Sequence, residues 1–314
     1  MEGISTHALE HTNASTSGLL APEMLSRISR LEMVARQVMD GYVQGMHRSA
    51  HLGFATDFAQ HREYAPGDDL KRIDWRVYAK VDRFFIRQYE VSTNLRAHLL
   101  LDASGSMTYK GAQDAMSKYR YAQFTAACLA YLLLHQQDSC GLITIDDKIR
   151  DFIPARSTAS HLITLIKALE KRTPGTEGGL SRSLHEVSDR LKQRSMVIVI
   201  SDMLEPIQDL LGALHHLRHR RHEVLLLQIL AHDEITFPFR KWTLFRNMEV
   251  QGHHLRLDPA VIRRQYLDAL AAHRRALEKT CSDLRISYQL MDTSRSVENA
   301  LTAYLSSRLR ERGI

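Results

Sequence analysis

The chain has 314 residues, of which 44% are hydrophobic and 25% charged, a composition typical of an ordinary globular protein. This length allows one large domain or two modest ones. Lys and Arg outnumber Asp and Glu by 42 to 36, and this mild excess, with interspersed acidic residues, does not indicate a nucleic-acid partner. The three cysteines lie far apart, which excludes a disulfide scaffold and a cysteine-rich zinc site.

Residues 1–17 are rich in Ser, Thr and Asn and predict a disordered tail. They contain neither the basic nor the apolar region of a signal peptide. The best apolar run, at 124–134, has about half of the ~20 residues that a transmembrane helix needs. We therefore expect a cytoplasmic protein without a membrane span.

Residues 18–94 predict an accessory segment in two parts. Apolar residues at helical spacing predict a helix over 19–45. From 47 to 94, basic and acidic residues alternate and aromatic residues are interleaved among them. A Pro-Gly pair at 66–67 marks a turn. We expect irregular structure and short strands here, ending in a strand at 84–89.

Residues 95–314 alternate between strand-like and helix-like patterns. Strands are predicted at 97–101, 141–145, 149–153, 196–200, 223–230 and 285–291. Helices are predicted at 114–135, 161–171, 180–192, 206–218, 259–281 and 296–310. An irregular excursion is expected around 232–256. Strands buried on both faces, alternating with helices of ten residues or more, predict an α/β domain with a doubly wound, mainly parallel sheet.

Polar residues follow the predicted strands where ligands bind in such folds, beyond the carboxyl ends. The first strand ends in a D-x-S-x-S pattern formed by Asp102, Ser104 and Ser106. Thr176 lies in a Gly-rich loop, and Asp202 follows the strand at 196–200. All five are hard oxygen donors, the ligand type that Mg²⁺ and Mn²⁺ prefer. The alternative is a polar loop whose serines cap the following helix.

This arrangement resembles the metal-ion-dependent adhesion site of von Willebrand factor A domains, which have a Rossmann-like sheet. The resemblance implies that Ser104, Ser106 and Thr176 bind Mg or Mn directly. It implies that Asp102 and Asp202 act directly or through water. Thr173 is a less favoured substitute for Thr176.

The upstream segment carries R-x-Y-x-P-G-D-D at 62–69 and R-I-D-W-R at 72–76. These runs resemble the bacterial domain-of-unknown-function family fifty-eight, which joins such a segment to a von Willebrand A-like domain. Members often carry membrane helices near the N-terminus. No such helix is predicted in this sequence, so we expect the chain to represent a soluble branch of the family. Genes of the family are commonly neighbours of MoxR-type AAA+ ATPases, which implies such an ATPase, or its client, as the partner.

Three interpretations of the charged and aromatic residues in this segment stay open. Arg, Trp and Tyr often anchor interfaces, which favours a partner-binding surface. The same charges would also satisfy one another in a network that braces the segment against the sheet. Binding of single-stranded nucleic acid is a third interpretation, and the nearly balanced acidic residues argue against it. The candidate partner-binding residues are Arg62, Tyr64, Asp68, Asp69, Arg72, Asp74, Trp75 and Arg76.

The sequence therefore predicts a non-enzymatic, metal-dependent protein-binding module. Its metal would keep one coordination position open for an Asp or Glu of a partner. The alternative is a Mg-dependent phosphatase or hydrolase, with Asp102 as a conceivable nucleophile. No G-x-S-x-G elbow, Walker loop or G-x-G-x-x-G pattern supports a hydrolase or nucleotide-binding enzyme.

Overall fold

The computed structural model describes residues 31–33, 35–36, 57–64, 74–81, 83–90, 95–175, 177–249, 252 and 254–311. The predicted tail at 1–17 lies outside the described residues. Most of the predicted helix at 19–45 does too, although 31–33 and 35–36 are helical. Among the helices that the structure describes, none combines the length and the apolarity needed to cross a bilayer.

The core of the protein is a six-stranded sheet. Its strands are β3 (Arg96–Asp102), β4 (Ser139–Ile145), β5 (Ile149–Arg156), β6 (Met196–Ser201), β7 (Glu223–Leu230) and β10 (Ser287–Asp292). They lie in the spatial order β10-β7-β6-β3-β4-β5. Five strands are parallel, and β5 pairs antiparallel with β4 at one edge. The predicted doubly wound, mainly parallel α/β sheet is thus confirmed.

Helices cover both faces of the sheet, because neighbouring residues of a strand point to opposite sides. Leu99 and Leu101 of β3 belong to one apolar core, and Leu100 between them belongs to the other. The first core includes residues of α2 (Lys118–His135), α3 (His161–Lys171) and α8 (Val297–Glu311). The second includes residues of α4 (Leu180–Arg190), α5 (Ile207–His219) and α7 (Pro259–Asp283).

Local signals set the helix starts. Ser117 caps α2, where its hydroxyl accepts a hydrogen bond from the backbone NH of Arg120 at 3.3 Å. Asp258 caps α7 in the same way, and Pro259 occupies the first turn, where a missing NH costs nothing. The prediction that α7 starts at 259 was therefore correct, while α2 begins four residues after the predicted start at 114.

The described part of the accessory segment contains an antiparallel pair, β1 (Asp57–Glu63) and β2 (Phe85–Glu90), and the helix α1 (Trp75–Val81). The prediction of irregular structure was wrong for α1. The buried Asp74 starts this helix, because its carbonyl accepts from the backbone NH groups of Val77 and Tyr78. The ring of Tyr78 stacks on Phe84 with centroids 4.5 Å apart.

The predicted excursion is more regular than the sequence indicated. It contains the short helix α6 (His232–Thr236) and an antiparallel hairpin of β8 (Thr243–Arg246) and β9 (His254–Leu257). The rings of Phe237, Phe239 and Phe245 pack together. The ring centroid of Tyr266, on α7, lies 4.7 Å from that of Phe237. This aromatic contact ties the excursion to the main domain.

Candidate metal centre

The two strands that end in the predicted metal ligands are neighbours in the sheet. β3 pairs with β6, and the chain leaves β3 toward β4 but leaves β6 toward β7. This reversal leaves a crevice beyond the carboxyl ends of the two strands, which is where α/β folds bind ligands. A cavity of about 780 Å³ opens there, and Asp102, Ser104, Ser106 and Asp202 line it.

The first loop holds both serine hydroxyls toward each other. A short 3₁₀ turn at Gly105–Thr108 follows Ser104, and the Oγ atoms of Ser104 and Ser106 are 3.2 Å apart. Neighbouring oxygens in an ideal Mg²⁺ octahedron are about 2.9 Å apart, given bonds of about 2.0–2.1 Å. The hydroxyl spacing and the donor chemistry therefore fit the predicted ion.

Thr176, the fifth predicted ligand, lies outside the described residues. Its neighbour Gly175 is described, and the Gly175 NH donates to the carbonyl of Ala103 at 2.6 Å. This bond attaches the Gly-rich loop to the D-x-S-x-S loop. Thr173, the substitute, is exposed and does not line the cavity.

Asp102 is buried and both of its carboxylate oxygens accept hydrogen bonds. Oδ1 accepts from the Ser104 NH at 2.8 Å, and Oδ2 accepts from the Ser201 hydroxyl at 2.5 Å. Burial and the nearby charge of Asp202 raise the pKa of Asp102 to about 7, against the lowering effect of these hydrogen bonds. Two buried carboxylates this close are stabilised by a cation, which again fits a divalent metal.

Lys118 is a functional candidate that sequence reasoning missed. Its side chain is 1% exposed, and its Nζ lies 2.8 Å from Asp202 Oδ2 and 2.7 Å from Glu234 Oε1. Burial alone would lower the pKa of Lys118, but the two carboxylates hold it above its usual value. The buried Lys118 therefore neutralises one charge of the site and leaves a net negative charge on Asp102, Asp202 and Glu234.

Two further residues shape the site and were also missed. Ser201 donates to Asp102 and accepts from the Met203 NH at 3.0 Å, so it fixes the position of that carboxylate. Glu205 accepts from the Leu180 NH, and from the NH and hydroxyl of Ser181 at 2.8 and 2.5 Å. Glu205 therefore fixes the first turn of α4 beside the Gly-rich loop.

Carboxylates and imidazoles alone do not form a metal site in the described part of the chain. No three His, Cys, Asp or Glu side chains come close enough together there to hold an ion. A metal at this edge of the sheet would depend on the serine hydroxyls and on water. This dependence is consistent with the roles that the adhesion-site resemblance implies.

The predicted partner-binding residues are only partly described. Asp68, Asp69 and Arg72 lie outside the described residues, and Arg62 and Arg76 are described in their backbone alone. The Trp75 side chain is 61% exposed and its ring meets Tyr78 and Phe84 edge to face. Tyr64 meets the same Phe84 ring at 6.3 Å. These aromatic contacts form a cluster with one exposed tryptophan.

The fold is that of a doubly wound α/β protein with an oxygen-lined crevice at its topological switch point. Residues 60–276 match the family described as protein of unknown function DUF58, and the chain belongs to this family. The predicted family is thus confirmed.

Curated relatives extend the match over most of the chain. The uncharacterized protein Rv1480 of Mycobacterium tuberculosis is 25% identical over 295 residues, which cover 92% of this chain and 91% of that protein. The uncharacterized protein MAV169 of Mycobacterium avium is 28% identical over 163 residues, covering 50% of this chain and 94% of that protein.

Solved structures with a similar arrangement are more distant. The conserved hypothetical protein BatB of Bacteroides thetaiotaomicron has 15% identity and a TM-score of 0.44, covering 69% of this chain and 99% of that chain. The SpRpn10 VWA domain has 11% identity and a TM-score of 0.38, covering 66% of this chain and 94% of that chain.

Proposed function

We propose that this chain is a cytoplasmic, non-enzymatic protein-binding module that uses Mg²⁺ or Mn²⁺ to bind an acidic residue of a partner. The observation that carries the proposal is the pair of hydroxyls of Ser104 and Ser106, 3.2 Å apart in an open crevice beside two carboxylates. Neutral hydroxyl ligands leave the ion electrophilic, so that it attracts one more carboxylate.

The chain's own residues would divide the work of the site. Ser104, Ser106 and Thr176 would hold the ion, which when bound supplies a Lewis-acidic position for a carboxylate. Ser201 orients Asp102 through its 2.5 Å hydrogen bond. Lys118 keeps Asp202 in one place, because the ammonium bridges that carboxylate to the excursion.

The partner in this proposal is a MoxR-type AAA+ ATPase or its client. Support comes from the DUF58 membership of the chain and the gene neighbourhood that the family resemblance implies. The exposed Trp75, with the aromatic rings beside it, would give a second contact for the same partner.

The alternative, a Mg-dependent phosphatase or hydrolase, has less support. Its conceivable nucleophile, Asp102, is 4% exposed, and hydrogen bonds engage both of its oxygens. A carboxylate held in this way is better suited to orienting a metal-bound water than to attacking a phosphorus atom. Turnover of p-nitrophenyl phosphate that is lost in Ser104→Ala would instead support the enzyme.

Isothermal titration of Mg²⁺ and Mn²⁺ tests the proposal, with the native chain beside Asp102→Ala and the control Glu177→Gln. Glu177 is exposed and does not line the cavity. We expect saturable binding that Asp102→Ala abolishes and Glu177→Gln retains. Capture of the ATPase should then need the metal and fail with Asp102→Ala, and equal capture with and without the metal would contradict the proposed mechanism.

A further inference from the structure

The loop that joins β8 to β9 reaches the metal centre. Asn247, Met248 and Glu249 follow β8 directly, and all three line the same cavity as Asp102, Ser104, Ser106 and Asp202. The excursion that carries them runs from the end of β7 to the start of α7. The crevice is therefore partly covered by the chain itself.

Within this loop, Glu249 directs its carboxylate at the predicted ligand loops. Its Oε1 lies 2.8 Å from the point where a Cβ on Gly178 would stand, so the carboxylate approaches the backbone of the Gly-rich loop closely. The hydroxyl and the NH of Ser106 are close enough to the same carboxylate to lower its pKa. Glu249 thus lies between the Gly-rich loop and the D-x-S-x-S loop.

The charges around Glu249 are unfavourable without a cation. The carboxylate is half-buried, and it makes no ion pair with another described residue. Burial and the negative charges of Asp202 and Glu205 raise the pKa of Glu249, against the effect of the Ser106 hydrogen bonds. A divalent ion at the two serines would turn this repulsion into attraction.

We propose that Glu249 is a carboxylate ligand supplied from within the chain, and that it completes the metal centre until a partner carboxylate displaces it. This inference rests on the proposed function, because it needs a metal at Ser104 and Ser106. The excursion then has a defined role, since it delivers one acidic side chain to the position that the partner needs. The apparent affinity for the partner is then proportional to the fraction of molecules in which Glu249 has left the metal.

Titration of Mn²⁺ monitored by water proton relaxation tests the inference, because the signal reports both the affinity and the water molecules left on the ion. The variant is Glu249→Gln, which keeps the size of the side chain and removes its charge. Glu177→Gln is the matched control, with the same charge change on the neighbouring loop, and Asp102→Ala tests the metal centre itself.

We expect Glu249→Gln to weaken Mn²⁺ binding by roughly tenfold or more, since loss of groups that merely support a metal ligand costs about 10–100-fold. The relaxation per bound ion should rise, because water replaces the lost carboxylate. Added acetate, the simplest partner carboxylate, should lower that relaxation more in Glu249→Gln than in the native chain. Glu177→Gln should match the native chain in all three measurements.

The Mn²⁺ titrations distinguish a failure of the metal centre from a failure of the role given to Glu249. If Asp102→Ala loses Mn²⁺ while Glu249→Gln matches the native chain in affinity and relaxation, the metal centre stands and the role of Glu249 is refuted. If the native chain binds no Mn²⁺, both the metal centre and its internal ligand are refuted. Far-UV circular dichroism of each variant confirms that the fold is retained.

Discussion

Replacement of Lys118 by Met should lower the stability of the protein and should leave its ability to bind Mg²⁺ intact. The substitution keeps the side-chain length and removes a cation that is 1% exposed and contacts Asp202 and Glu234 at 2.8 and 2.7 Å. The buried Asp202 and the partly buried Glu234 then lose their shared counter-ion. Removal of one partner from a buried ion pair costs about 3–5 kcal/mol.

This loss should be visible in thermal unfolding. For a domain of this size each kcal/mol shifts the midpoint by about 2–4 °C, so Lys118→Met should unfold about 6–20 °C earlier than the native chain without metal. Mg²⁺ should restore part of the difference, because the ion replaces the lost positive charge beside Asp202. At 100 times its Kd a ligand contributes about 2.7 kcal/mol.

Arg120→Met is the matched control for this experiment. Arg120 lies on the same helix and pairs with the buried Glu170 at 2.6 Å, away from the crevice. It should destabilise the chain, and Mg²⁺ should raise its midpoint no more than that of the native chain. A Lys118→Met variant as stable as the native chain, or an equal rise of all three midpoints with Mg²⁺, would refute the role given to Lys118.

Three further predictions concern a hydrogen bond, a buried histidine and a pair of glycines. Ser201→Ala, which frees one Asp102 oxygen from a 2.5 Å hydrogen bond, should weaken Mn²⁺ binding about 10–100-fold in a titration. His98→Leu should flatten the acid side of the stability profile, because burial lowers the pKa of His98 from 6.5 to about 4. Gly141→Ala should destabilise the chain by about 1–3 kcal/mol in urea, and Gly212→Ala should stabilise it by about 0.5–1 kcal/mol.

The sign of the His98 effect follows from proton uptake. Between pH 6.5 and 4, His98 binds a proton in the unfolded chain and stays neutral in the folded chain. The contribution of His98 to the free energy of unfolding is therefore complete above pH 6.5 and falls as the solution is acidified. The full loss is about 3 kcal/mol. Chemical unfolding at pH 7.5 and 4.5 measures most of this loss, and equal pH slopes in the native chain and His98→Leu would contradict the assignment.

The two glycines differ in what a new methyl group would meet. At Gly141 it would stand 2.7 Å from the carbonyl oxygen of Ile153 on the paired strand, whereas at Gly212 nothing lies within 4 Å. Gly212 is exposed inside α5, so alanine there only reduces the freedom of the unfolded chain. If both substitutions lowered the free energy of unfolding measured in urea, the steric difference between the two positions would not explain their effects.

Sequence patterns were sufficient for the sheet and insufficient for the site's supporting residues. The run at 196–200 is apolar throughout and rich in β-branched residues, so the sequence is sufficient to predict a buried strand there. The helix Trp75–Val81 was missed because charged residues break its apolar periodicity. Its start at Asp74 depends on backbone contacts that the pattern does not contain.

The same limit applies to the crevice. Asp102 and Asp202 stand directly after apolar strands, so their meeting at one sheet edge follows from topology. In the sequence, Lys118 is indistinguishable from any other helix residue, because its partner Glu234 is 116 positions away. Glu249 reads as part of an irregular loop for the same reason. Contacts that span such separations are determined by tertiary packing and leave no local signal.

The position of β3 has a consequence for how the protein is made. β3 is the first strand of the main sheet to be synthesised, yet Ala97 pairs with Met196, almost 100 residues later. At about 5–20 residues per second, a ribosome needs roughly 5–20 s to supply that partner. During this interval one edge of a strand that is buried from Ala97 to Asp102 in the folded protein stays unpaired, so the nascent chain depends on temporary protection of β3 until β6 emerges.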